Sequence, residues 1–125
     1  MDKTGIKVLI VSGNSFVTDF LRGLVEAHGY ETEEVQAYQE VLVQESKIRP
    51  HVAFIDDSCL EMKDMKNFQL TTLHLTQAGV LTVLLASEQT KLHIEQLPTM
   101  KCLQILDKPV DYIQIGQIMA NFVNA

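Results

Sequence analysis

Tryptophan is absent from these 125 residues, and cysteine occurs only twice, at Cys59 and Cys102. Two cysteines are too few for a disulfide framework. No apolar run reaches the ~18 residues a membrane-spanning helix needs, so no membrane span is expected. The N-terminal stretch MDKTGIKVLIVSG has one short apolar run and no small-residue cleavage site, and reads as a first strand rather than a signal peptide. Lysine and arginine form no cluster and the net charge is −6, which argues against nucleic-acid binding by this domain, since phosphate contacts need a basic face. Few aromatics fall in loops, so little is available to stack on a flavin.

What is present is an alternation of strand and helix, five times over. Ile6–Ser12 (IKVLIVS) is a nearly continuous apolar run, as a strand buried on both faces requires. Asn14 or Ser15 can cap the helix that follows. In it Phe16, Val17, Phe20, Leu21, Leu24 and Val25 repeat at helical spacing and predict one inner stripe. His28 falls near its end and Gly29 supplies a left-handed stop. Tyr30–Val35 is a short polar strand, expected at an edge; Glu31, Glu33 and Glu34 make it a solvated edge that discourages strand addition. A second helix is expected over Tyr38–Ile48 with Val41, Leu42 and Ile48 inward, before Pro50. His51–Asp56 (HVAFID) is the second strongly buried strand. Asp64–Ala78 is the third helix, with Met65, Phe68 and Leu75 inward and Gly79 as its stop. Val80–Ala86 is a third buried strand, Glu88–Leu97 a helix of poor periodicity before Pro98, and Lys101–Leu106 the last strand. Val110–Val123 is the last helix, with Ile113, Ile118, Met119 and Phe122 near one face.

Five β/α units in one domain, residues 1–125, predict an α/β fold: a (βα)5 doubly wound parallel sheet with helices on both faces. The flavodoxin-like strand order 2-1-3-4-5 follows from a polar second strand beside apolar first, third and fourth strands. In that frame Cys59 and Cys102 stand about a strand length apart, roughly 17–20 Å, while a disulfide needs Cα atoms within about 7 Å. Free thiols and a cytoplasmic setting are therefore expected. Ligands of such sheets bind at the carboxyl ends of the strands, which directs attention to Ser12–Ser15, Asp56–Ser58, Ser87–Glu88 and Asp107–Pro109.

Three features converge on that edge: Asp56 closes the third strand, Ser87 closes the fourth, and Lys108-Pro109 follows the fifth. A carboxylate can accept a phosphoryl group, an ammonium can neutralise it, and a hydroxyl can donate to its oxygens. A cis peptide before Pro109 would aim the lysine inward. The arrangement, with spacings of 31 and 21 residues, resembles the receiver domain of bacterial response regulators, with the single-domain chemotaxis regulator as its simplest form, over the whole chain. The resemblance implies that Asp56 is the phosphoacceptor position, Ser87 the hydroxyl that senses the phosphoryl group, and Lys108 its charge partner.

The departures from that family are specific. Its members carry two acidic residues after the first strand, which help hold Mg²⁺; here those positions are Ser12 and Gly13. Mg²⁺ binds oxygen ligands, carboxylates above all, in near-octahedral geometry, so neutral replacements remove most of the attraction. A weak magnesium site at Asp56, Asp57 and Ser58 is the residual alternative. Adjacent side chains on a strand point to opposite faces, so Asp57 is not expected to replace the lost pair unless the strand has already ended. Ile105 stands where the family has a switching aromatic, Leu60 where it has a proline, and Lys101-Cys102 where it has Gly-Ala.

The leading expectation is an atypical receiver acting in signal transduction as a protein-interaction module, not an enzyme, with weak or no phosphorylation. Its partner would be a histidine kinase or an output protein. In receivers the face of the fourth helix, fifth strand and fifth helix is the usual contact surface, and a homodimer through it is an alternative. A working phosphoreceiver is the second reading, with Asp56 taking a phosphoryl group from a histidine kinase. A flavin- or nucleotide-binding domain using Ser12–Ser15 as a phosphate cradle is the third. Plainer readings stand beside these. Asp56 can be a strand-ending carboxylate, Ser87 a turn residue, Lys108 a structural ion pair with Asp56, and Asn14 or Ser15 a simple cap. His28, His51, His74 and His93 show no ligand spacing, and Met62 and Met65 read as core filling.

Overall fold

The computed structural model describes residues 5–37, 40–59, 65–95 and 104–124. Leu60, Met62, Lys101 and Cys102, together with the expected helix start at Tyr38 and the stop at Pro98, lie outside the described residues. Strand β1 (Lys7–Val11) leads to helix α1 (Ser15–Ala27), β2 (Glu31–Val35), α2 (Val41–Ile48) and β3 (Val52–Asp56). A 3-10 turn at Asp57–Cys59 follows, then α3 (Met65–Gln77), β4 (Leu81–Ala86), α4 (Glu88–Glu95), β5 (Gln104–Asp107) and α5 (Tyr112–Val123). All strand pairs are parallel and the order is β2-β1-β3-β4-β5, as the polarity of the second strand predicts. Glu31, Glu33 and Glu34 line the free edge.

The alternation of side chains along the apolar strands divides the core into two layers. Leu9, Val11, Ala53, Ile55, Leu84 and Ala86 face Phe68 and Leu75 of α3, with Ile94 of α4. Val8, Ile10, Val52, Phe54, Val83 and Leu85 face Leu21 and Val25 of α1 and Ile115, Ile118 and Met119 of α5. Local signals end the helices where expected. Asn14 caps α1, its Oδ1 accepting from the Phe16 and Val17 amides at 2.9 and 3.2 Å. Gly29 and Gly79 take φ of 93° and 84°. Arg49, at φ 54°, ends α2 in the left-handed region just before Pro50.

Four positions expected inside are outside. Phe16 and Phe20 are 84% and 52% exposed, because α1 turns Leu21 and Val25 to the sheet and Phe20 sits about 100° round the helix from Leu21. Leu42 is solvent-facing for the same reason beside fully buried Val41. Ile113 is 67% exposed: Asp111 caps α5 through a reciprocal box with Gln114, so the inward set is Ile115, Ile118, Met119 and Phe122, and Ile113 falls on the far side.

Helices α1 and α5 meet through a histidine. The His28 ring stacks on Tyr112 with centroids 3.8 Å apart, and its Nε2 lies 2.9 Å from the Tyr112 carbonyl oxygen. The ring covers Gly116 so closely that a Cβ there would fall 2.5 Å from its Cε1. Gly116→Ala should therefore lower stability by about 1–3 kcal/mol, although alanine is the better helix former by about 1 kcal/mol. In a His28→Ala background the same change should become neutral or stabilising in urea unfolding; an unchanged cost there would refute the packing account.

Candidate functional site

Sheet register brings the three strand ends level. Asp56 pairs with Leu85, and Ala86 pairs with Asp107, so the residues just beyond β3, β4 and β5 open onto one edge. At that edge a single ammonium joins two consecutive carboxylates. Lys108 Nζ lies 2.7 Å from Asp56 Oδ1 and 2.5 Å from Asp57 Oδ1. The Lys108-Pro109 peptide is cis. Asp56 is fully buried and the Asp57 side chain is 10% exposed.

Both carboxylates meet the lysine because the condition left open in the sequence, a strand that has already ended, is the one that holds. Strand β3 ends at Asp56 and Asp57 opens the 3-10 turn, so the strand's alternation no longer governs it. Each remaining oxygen takes a backbone donor: the Ser58 amide donates to Asp56 Oδ2 at 3.1 Å, and the Ser87 amide to Asp57 Oδ2 at 2.8 Å. Burial alone would raise the Asp57 carboxyl. The Lys108 hydrogen bond, the Ser87 amide, the lysine charge and the Thr90 hydroxyl outweigh it, so the group is held below its ordinary range. Burial likewise opposes charge on Lys108, yet hydrogen bonds and Coulombic attraction from Asp56 and Asp57 raise it above the usual lysine range.

Ser87 enters the site by its main chain. Its hydroxyl turns to Thr90, Oγ to Oγ1 at 3.2 Å, and lies 3.5 Å from the Thr90 amide at the start of α4. Thr90 was not singled out in the sequence. The only signal for it is Ser87 followed three residues later by a residue able to hydrogen-bond, the spacing of a helix start. Ile105, at the family's aromatic position, is half-buried and packs against the α3 side of the core.

Ser12 and Gly13 form a separate, neutral group. Ser12 is 2% exposed; its Oγ lies 3.4 Å from Ser58 Oγ, and the Gly13 amide donates to Ser58 Oγ at 3.3 Å. A cleft of about 230 Å³ beside them is bordered by Asp19 and Glu34, both paired with Arg22. This donor set does not suit Mg²⁺. An octahedral dication wants several oxygens turned towards it. Here an ammonium holds one oxygen of each carboxylate, a backbone amide holds the other, and the neighbouring Ser12 and Gly13 offer one neutral hydroxyl and no side chain. Among the described residues no group of three or more metal-ligating side chains occurs.

No family model matches this sequence, and no curated protein matches it significantly. Solved structures do. A response-regulator receiver domain from Clostridium thermocellum superposes with a TM-score of 0.77 at 16% identity, covering 95% of this chain and 94% of its own. The chain has the receiver fold. A CheY-like receiver domain from Methanospirillum hungatei gives 0.71 at 19% identity over 95% and 94% of the two chains. A Burkholderia pseudomallei protein described as pilus assembly-related gives 0.74 at 19% identity over 99% and 93%. Within the receiver fold, Asp56, Ser87 and Lys108 lie together at the carboxyl edge of the sheet, whereas Ser12 and Gly13 meet Ser58 instead of the lysine.

Two outcomes test this geometry. Lys108→Met strands a buried charge at Asp56 and should cost about 3–5 kcal/mol in denaturant unfolding, the scale for removing one partner of a buried pair. Adding Asp56→Asn should recover much of that loss; no recovery would mean the lysine acts elsewhere. Asp57 has a depressed carboxyl pKa, so its stabilising contribution is present above the unfolded value of about 3.9 and fades as pH falls through the folded one. Asp57→Asn should thus be less stable than the parent at neutral pH, with the gap closing in acid. Lys108, raised, contributes fully below about 10.4 and loses that contribution only as pH climbs through its folded value.

Proposed function

We propose that this domain is an atypical receiver that works in signal transduction as a protein-interaction module, with weak or no magnesium-dependent phosphorylation of Asp56. One observation carries the reading: all four oxygens of Asp56 and Asp57 already face an ammonium or a backbone amide. Phosphoryl transfer would need an Asp56 oxygen reachable by a donor and a dication beside it to offset the charge. Asp56 is fully buried, and the neighbouring Ser12, Gly13 and Ser58 are neutral. Lys108 then serves as a structural counter-ion. The domain carries out no chemistry of its own in this reading.

The face built from α4, β5 and α5 is the proposed contact surface. It exposes Leu92, Tyr112 and Ile113 at 57%, 48% and 67%, beside an open edge strand of only four residues. A histidine kinase, an output protein or a second copy of the chain would dock there. Among the described residues no helix is long and apolar enough to cross a membrane. The retained Asp56–Lys108 contact is what favours the competing reading, a working phosphoreceiver. The flavin or nucleotide reading has less support: Asn14 uses the first amides of α1, and Asp19 and Glu34 would repel a phosphate in the adjoining cleft.

A titration decides between the first two. With millimolar Mg²⁺ and beryllofluoride, backbone amide signals of Asp56, Asp57 and Ser87 should stay in place. Saturable shifts confined to those residues would establish the phosphoreceiver instead.

A further inference from the structure

Asp57 lies where two donors from separate parts of the chain converge. Lys108 Nζ comes from the loop after β5 and the Ser87 amide from the link between β4 and α4, where the Ser87 hydroxyl in turn meets Thr90 in the first turn of α4. An ammonium and a backbone amide aimed at one point are donors of the kind that bind oxyanions in general. A carboxylate from the same chain already sits among them. It gets there because β3 ends at Asp56 and Asp57 opens the 3-10 turn, with its side chain accepting from the Ser87 amide beyond β4. Two carboxylates against one ammonium give the cluster a net charge of −1, so a second anion meets both a filled seat and repulsion.

We propose that Asp57 is a resident anion: it fills from within the chain a seat suited to an exchangeable oxyanion, and so pins Ser87 and the start of α4 to the end of β3. The proposal rests on the reading that Asp56 is not phosphorylated. Its consequence is regulatory. The position of α4, one wall of the proposed contact face, is set by a covalently tethered carboxylate and not by an incoming signal. The face is then presented constantly.

Inorganic phosphate, without metal, is the probe. The parent chain should bind none measurably. Asp57→Ala removes the occupant and leaves Lys108 balanced by Asp56 alone. It should bind phosphate at least about tenfold more tightly than the parent, the worth of roughly one charge-assisted hydrogen bond, with shifts at the Ser87, Glu88 and Thr90 amides. Adding Lys108→Met should abolish that binding. A folded Asp57→Ala variant that takes up phosphate no better than the parent overturns the proposal. A measurement on the unaltered chain covers the case in which the variant does not fold. The Ser87 amide should exchange with solvent at least about tenfold more slowly than exposed loop amides, and exchange at the open-loop rate also overturns the proposal. The two readings fail separately. Beryllofluoride on Asp56 of the parent would sink the unphosphorylated module, whereas an unprotected Ser87 amide would sink the resident anion and leave that module standing.

Discussion

The ammonium of Lys108, held within 2.7 Å of two neighbouring carboxylates, is the contact on which the functional edge depends. Burying Asp56 completely is tolerable only with a cation beside it, because an isolated carboxylate away from water is costly. The lysine supplies that cation from the loop after β5. Asp57 then ties the same lysine to the link between β4 and α4 through the Ser87 amide. Three strand ends are thereby joined by charge where the backbone ladder stops. The arrangement resembles the centre of a phosphorylatable receiver, but its donors and acceptors are already matched.

That matching links chemistry to surface. Thr90 and Ser87 hold the start of α4, and Lys91 lies 3.4 Å from Asp107 across the groove between α4 and β5. Whatever holds the carboxylate cluster therefore also holds one side of the face proposed for partners. On the opposite side of the sheet, His28 connects α1 to α5 by stacking on Tyr112, itself partly exposed on that face. The two helical layers are thus fastened to the sheet through polar contacts at their ends and apolar packing between.

Much of this was legible in the residues. The buried strands announced themselves as apolar runs, and the glutamates of β2 placed it at the edge. Gly29 and Gly79 marked helix ends, and Asp56, Ser87 and Lys108 meet at the strand-end edge where the pattern put them. The errors have one cause. Phe16, Phe20, Leu42 and Ile113 are apolar, and periodicity counts every apolar residue as inward. Which flank of a helix meets the sheet is set by how the helix is rotated about its axis. A cap such as Asp111, or the seating of Leu21, decides that rotation. Asp57 is a related case: its direction depended on whether β3 ended at residue 56 or continued, a matter of one residue.

By itself the sequence determined the class of fold and the strand order. These follow from local pattern: periods of two and of about 3.6 residues, turn residues, and the polarity of one strand. It also determined that the two residues after the apolar run of the first strand, Ser12 and Gly13, carry no charge. Only the tertiary structure decided what Asp57 does. Residues 57, 87 and 108 are far apart in the chain, and their donors and acceptors acquire partners only when parallel strands bring their ends level. A charge read along the chain has a sign but no partner, and the partner is what turns Asp57 from a spare acid into a clasp between β3 and α4.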